Sequence, residues 1–242
     1  MIDLRPAFLS VQGLQFAWSP REQPWLHWSA EFAPGLTVLV GGDGAGKTTR
    51  LRLLATALTP QAGQLVLKLT GVPNDAAARN ADASASTHAI ARTDPSAPAL
   101  IMAWPNPQAY RQHVFWCDPA SEAHDALGAE AYVEHHRRLH AGWRDDLFND
   151  LLPDLGLEGH LHKPLLGLSM GMRRKLRLAC ALASGAALTL MDDPLAALDR
   201  RSIDVVNDML ADCATATRRI FVGTAHEPPP DEFGARVISI DS

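Results

Sequence analysis

The 242-residue chain carries 22 Lys and Arg against 27 Asp and Glu, a formal net charge of −5, with 47% hydrophobic residues. That balance argues against a dedicated nucleic-acid binder, whose footprint is basic, and no apolar run is long enough to cross a bilayer. Cys117, Cys180 and Cys213 are far apart and odd in number, which speaks against a disulfide framework or a zinc knuckle. The first residues, Met1 to Pro6, resemble neither a secretory signal nor a transit peptide, so a soluble cytoplasmic protein is expected.

Along the first forty residues, short apolar runs at 8–11 and 14–16 alternate with turn signals, and read as short strands of an antiparallel sheet. Residues 37–40, Thr-Val-Leu-Val, are β-branched and apolar, the mark of a buried strand. The stretch that follows is Gly41, Gly42, Asp43, Gly44, Ala45, Gly46, Lys47, Thr48 and Thr49. A glycine, four residues and then Gly-Lys-Thr is the spacing of a phosphate-binding P-loop. Glycines let successive backbone N–H groups turn inward on an anion, Lys47 offers a charge to the β- and γ-phosphates, and the Thr48 hydroxyl offers an oxygen to Mg²⁺. Leu51, Leu54, Ala55 and Leu58 recur at helical spacing, so the loop opens a helix whose N-terminus faces the phosphates.

Residues 64–69 read as a further strand. Residues 71–98 are rich in Ala, Asp, Asn and Ser, with no repeating apolar face, and read as a flexible insertion. A strand returns at 114–116, and residues 119–183 have helical periodicity, which suggests a helical subdomain. His136 and His140 have the i, i+4 spacing of a metal pair, but a solvated helix face at His135, His136 and His140 is the plainer reading. The basic run from Arg173 to Arg177 reads as the exposed side of its helix. The indoles of Trp25, Trp28, Trp104, Trp116 and Trp143 are assigned to core or subdomain packing.

An apolar strand at 187–191 ends in Asp192 and Asp193. A carboxylate there is the natural partner of a P-loop, with Asp192 holding Mg²⁺ and Asp193 directed at the attacking water. A helix over 201–213 and strands at 219–222 and 236–240 complete the chain.

With these residues the chain resembles the ATP-binding cassette (ABC) ATPases. Leu168-Ser169-Met170-Gly171-Met172 is similar to the family signature Leu-Ser-Gly-Gly-Gln. Asp192 to Asp199, Asp-Asp-Pro-Leu-Ala-Ala-Leu-Asp, is similar to its Walker B and D-loop stretch. His226 falls where the family has its switch histidine, and Trp18 where an aromatic stacks on adenine. The Gly171-Met172 pair resembles exporter-type cassettes.

The resemblance implies one α/β domain over 1–242: a P-loop NTPase core with a RecA-like mixed sheet and flanking helices, an antiparallel β subdomain and a helical subdomain. It implies ATP and Mg²⁺ as ligands, with Thr48, Asp192 and Asp118 around the metal and Asp193 and His226 as catalytic residues. Ser169, Met170 and Gly171 would serve the ATP of a partner subunit, and Ala197, Leu198 and Asp199 would lie across the same homo- or heterodimer interface. Membrane-spanning permease subunits are the implied partners, on the cytoplasmic face of the cell membrane, with no nucleic acid expected. A regulatory cassette of weak activity, and a soluble ABC ATPase acting on ribosomes or DNA, are the alternatives. Three residues depart from the family pattern: Asp193 stands for a glutamate, Asp118 for a glutamine, and Met170 for a glycine. Slow turnover with intact nucleotide binding is the expectation.

Overall fold

The computed structural model describes residues 7–70, 99–118, 124 and 126–240. The insertion expected at 71–98 lies outside the described residues, as does part of the 119–183 segment.

Strand β1 (Ala7–Phe16) pairs antiparallel with β2 (Leu26–Phe32) and β4 (Ala62–Leu69), and β5 (Ala99–Met102) continues the sheet in the order β2-β1-β4-β5. The two short strands expected in the first segment are one strand. Its register shifts between Val11 and Leu14, where Gly13 sits at φ 56° and donates its N–H to Ser29 Oγ. A bulge adds a residue and reverses side-chain parity, so alternation that is continuous in space looks broken in sequence.

The second sheet is parallel, in the order β6-β7-β8-β3-β9: β3 (Gly35–Val40), β6 (Val114–Cys117), β7 (Leu188–Met191), β8 (Ile220–Ala225) and β9 (Arg236–Ser239). Strands buried on both faces need apolar residues at every position, which is why β3 and β7 read as continuous hydrophobic runs. Leu39, Leu190 and Val222 face one way, into a core shared with helix α1 (Lys47–Leu54) and the antiparallel sheet. Leu36, Val38 and Phe221 face the other way, onto helices α3 (Ala129–Leu139), α4 (Asp145–Asp154), α5 (Met170–Ala183) and α6 (Arg200–Ala214). Strand β5 and the short helix α2 (Pro107–Arg111) were not expected. The latter anchors α1, because the buried Tyr110 hydroxyl donates to Leu54 O at 2.9 Å.

Two expectations about helix faces are overturned. Only His135 of the α3 trio is exposed: His140 is buried and His136 is largely so. Their parallel rings lie 6.0 Å apart and both meet Phe115 of β6, at 4.6 and 5.4 Å. The cause is helical phase, since His136 and His140 extend the stripe of Ala129, Tyr132 and Val133 that packs inward. Likewise, none of Arg173, Arg174, Lys175 and Arg177 on α5 is exposed. Arg174 and Arg177 find backbone carbonyls of their own chain, and Lys175 finds a carboxylate.

At the far end of α5, Arg219 closes the helix onto the sheet. Its guanidinium donates to the carbonyls of Ala181, Leu182 and Ala186 at 2.8–3.1 Å and to Thr189 Oγ1 at 3.1 Å, and it lies 4.7 Å over the Phe221 ring. A cation is at home among the free carbonyls of a helix C-terminus.

Candidate nucleotide site

Because β8 lies between β7 and β3, the C-terminal ends of three neighbouring parallel strands deliver the P-loop, Asp192–Asp193 and Thr224–His226 to one edge of the sheet. That edge is the usual ligand position in open α/β sheets. A cavity of about 520 Å³ opens there, lined by the P-loop from Gly42 onward and by Asp192, Asp193, Thr224 and His226.

Gly46, at φ 80°, precedes the first residue of α1, a conformation that a side chain would strain. Lys47 Nζ donates to Gly41 O at 2.6 Å and to Gly42 O at 2.8 Å, so the loop wraps around its own cation. Thr48 Oγ1 donates to Asp192 Oδ2 at 2.8 Å. Thr224 Oγ1 donates to Asp192 Oδ1 at 2.7 Å and accepts the Asp193 N–H at 2.8 Å. One threonine thus aims one carboxylate and holds the backbone of the next. The three described chain segments meet in a single hydrogen-bonded unit.

Asp193 has φ 45°, a left-handed conformation that aspartate tolerates better than most residues. Arg174 Nη1 braces this turn by donating to Asp193 O at 2.6 Å and Ala196 O at 2.8 Å. His226 Nε2 lies 3.6 Å from Asp43 Oδ1 at the mouth. Trp18, 59% exposed, stands at the other end of the cavity.

Ser169 caps α5, accepting the Met172 N–H at 3.2 Å, so the helix starts at Met170, one residue earlier than expected. Ser169, Met170 and Gly171 do not line this cavity, and the Met170 side chain is 69% exposed. A Cβ on Gly171 would come within 2.9 Å of Ala197 O, so the missing side chain lets α5 abut the segment before α6. There Ala197 turns at φ 59° beside the partly buried Leu198. Asp199 caps α6 through the Ser202 N–H at 3.0 Å and pairs with Lys175 Nζ at 2.6 Å. The Lys175 ammonium, the Ser202 N–H and the Ser202 hydroxyl together hold its carboxyl well below the usual range.

Asp118 follows β6 as expected but does not line the cavity, and its carbonyl accepts from Arg177 Nη1 at 2.9 Å. The cysteines are buried, and burial pushes the Cys117 and Cys213 thiols up to about 12. Among the described residues no group of three His, Cys, Asp or Glu is arranged to hold a metal ion.

Residues 29–196 match the profile of the ABC transporter family. The chain belongs to that family. The cytochrome c biogenesis ATP-binding export protein CcmA of Rhodospirillum rubrum is 31% identical over 88% of this chain and 77% of its own. A phosphonates import ATP-binding protein of Lactiplantibacillus plantarum is 26% identical over 80% of this chain and 70% of its own. Among solved structures, an ATP-binding subunit of an ABC transporter superposes with a TM-score of 0.65 at 18% identity, over 90% of this chain and 79% of the other. A bacterial Atm1-family ABC exporter superposes with the same TM-score at 17% identity, over 100% of this chain and 39% of the other. These neighbours have the P-loop NTPase type of fold expected from the sequence, and the chain is an ABC-type ATPase subunit.

Three residues of this ABC site escaped the sequence reading. Thr224 was visible only as part of Gly-Thr-Ala-His at a strand end. Arg174 was hidden in a basic run. Trp25 was assigned to packing, yet it is 45% exposed and lines the cavity. Strand parity carried the clue, since Leu26 and Trp28 point inward and residues of the opposite parity point out.

Proposed function

We propose that the chain is the ATP-binding and hydrolysing subunit of a transporter, working as one of two cassettes beneath separate membrane-spanning subunits on the cytoplasmic face of the membrane. The observation that carries this is the hydrogen-bonded unit of Thr48, Asp192 and Thr224, which presents two oxygen ligands beside the Lys47 loop. That donor pair suits Mg²⁺, a hard cation that takes oxygen ligands and binds together with phosphates. When bound, it would neutralise charge on the β- and γ-phosphates.

Lys47 and the P-loop N–H groups hold the triphosphate. Asp193 takes a proton from the attacking water while His226 orients that water on the γ-phosphate. Since Ser169 and Gly171 open a helix away from the chain's own cavity, their N–H groups and the Ser169 hydroxyl serve the γ-phosphate of a second cassette, with Ala197 to Asp199 across the same interface. ATP binding then closes the pair and hydrolysis reopens it. Among the described residues no helix is long and apolar enough to cross a membrane, which fits a subunit that borrows its membrane passage. The transport roles in the relatives' names support the same reading.

Steady-state ATP hydrolysis by the purified chain, with Lys47→Ala as control, tests the chemistry. Co-purification from detergent-solubilised membranes tests the partnership. Lys47-dependent turnover and a co-purifying permease are expected. Ribosomal proteins in place of a permease would overturn the transport reading.

A further inference from the structure

The base end of the cavity has two indoles. Phe16, only 4% exposed, is a buried post at the end of β1. The ring of Trp18 meets it edge-on at 5.2 Å and 82°, and that of Trp25 at 6.4 Å and 81°. Both indoles therefore stand nearly perpendicular to one fixed ring. Both remain about half exposed although each has apolar surface to bury, and both line the nucleotide cavity. Trp25 also leans on the P-loop: a Cβ on Gly46 would come within 2.8 Å of its ring. An indole in van der Waals reach of the loop that cradles phosphate is well placed for the base or sugar attached to that phosphate.

The polar side chains of the cavity sit at its other end. Lys47, Thr48, Asp192 and Thr224 are tied into the phosphate-end network, and Asp43 lies beside His226 at the mouth. Near the indoles, the cavity offers π faces rather than a patterned set of donors and acceptors. Every nucleobase has a π face, whereas telling adenine from guanine requires hydrogen bonds to base edges.

We propose that Trp25 is a second base-stacking residue, and that the site accepts purine nucleoside triphosphates by stacking with little discrimination between ATP and GTP. This rests on the nucleotide-site reading above and deepens it. The test is calorimetric titration of the full chain with MgATP, MgGTP and Mg-tripolyphosphate, for the native protein and for Trp25→Ala, Trp25→Phe and Lys47→Ala. ATP and GTP are expected to bind within about fivefold of each other. Trp25→Ala should weaken both by roughly tenfold and tripolyphosphate by less than about twofold, with Trp25→Phe recovering most of the loss.

Unchanged ATP affinity in Trp25→Ala would overturn the proposal. So would an equal loss for tripolyphosphate, which would make the indole a support for the loop, and so would a preference for ATP over GTP of more than about 100-fold. If Lys47→Ala leaves all three ligands unaffected, the nucleotide site itself is misassigned, a failure distinct from these.

Discussion

Asp193 combines a short acid with a backbone turn at φ 45°, and the two go together. A left-handed turn costs most L-residues about 1–2 kcal/mol, while aspartate relieves part of that through local hydrogen bonds. The residue at this position therefore trades reach for a comfortable backbone. Asp193→Glu is expected to raise turnover roughly tenfold, because about 1 Å of misplacement costs on the order of 10²-fold. It should also lower the melting temperature by roughly 2–4 °C. Steady-state hydrolysis and thermal unfolding read the two effects separately, and no gain in rate would show that the short acid does not limit the chemistry. Asp43 poses a simpler conflict, because a carboxylate at the mouth of an anion cradle repels the triphosphate. Asp43→Asn should tighten ATP binding by roughly three- to tenfold at low salt, and the gain should shrink as salt is added. These residues were legible in the sequence because a short run of chain fixes their spacing. Trp25 was not, since its value depends on meeting Gly46, twenty-one positions along the chain.

The helices show where sequence reading loses its hold. Polar residues on α3 and α5 were assigned to water on polarity alone, although helical phase already placed His136 and His140 on the buried stripe. Both rings are now surrounded by Phe115, Tyr132 and neighbouring histidines. Both nitrogens of His136 and Nε2 of His140 are buried without a hydrogen-bond partner. Burial, followed by the charges of nearby histidines, lowers His136 to about 3; burial, followed by Arg219 and nearby histidines, lowers His140 to about 4. In the unfolded chain both return to about 6.5, so below that pH the unfolded state binds more protons. Stability should be full above about pH 7 and fall as pH drops through 6.5 toward 4, by roughly 1–2 kcal/mol per histidine between pH 7 and 5. Denaturant titrations across that range check the slope, and His140→Leu should flatten it. On α5, Arg174 carries no charge to the solvent but braces the Asp193 turn. Arg174→Ala is expected to lower kcat by on the order of 10²-fold with KM little changed, and Arg174→Lys to recover part of it. A change confined to KM would mean that Arg174 holds nucleotide and does not position Asp193.

At the scale of the whole molecule, the order of strands did not follow from local pattern. Parallel neighbours such as β3 and β8 lie some 180 residues apart in sequence, and only the assembled sheet reveals that Thr224 stands between the P-loop and the acids. Helix α5 is tied to that sheet at three levels: Arg174 and Lys175 near its start, Arg177 at its middle and Arg219 at its end. The Arg219 clamp has a mechanical meaning. Strand β8 begins one residue after Arg219 and ends at Ala225, so a single stiff rod runs from the clamp to the histidine switch. A push on the last turn of α5 travels along a strand, with no slack loop to absorb it. Arg219→Met would leave those carbonyls unanswered, cost about 3 kcal/mol, and unhitch the rod. A partner that leans on α5 would then press on a spring where it now presses on a pushrod.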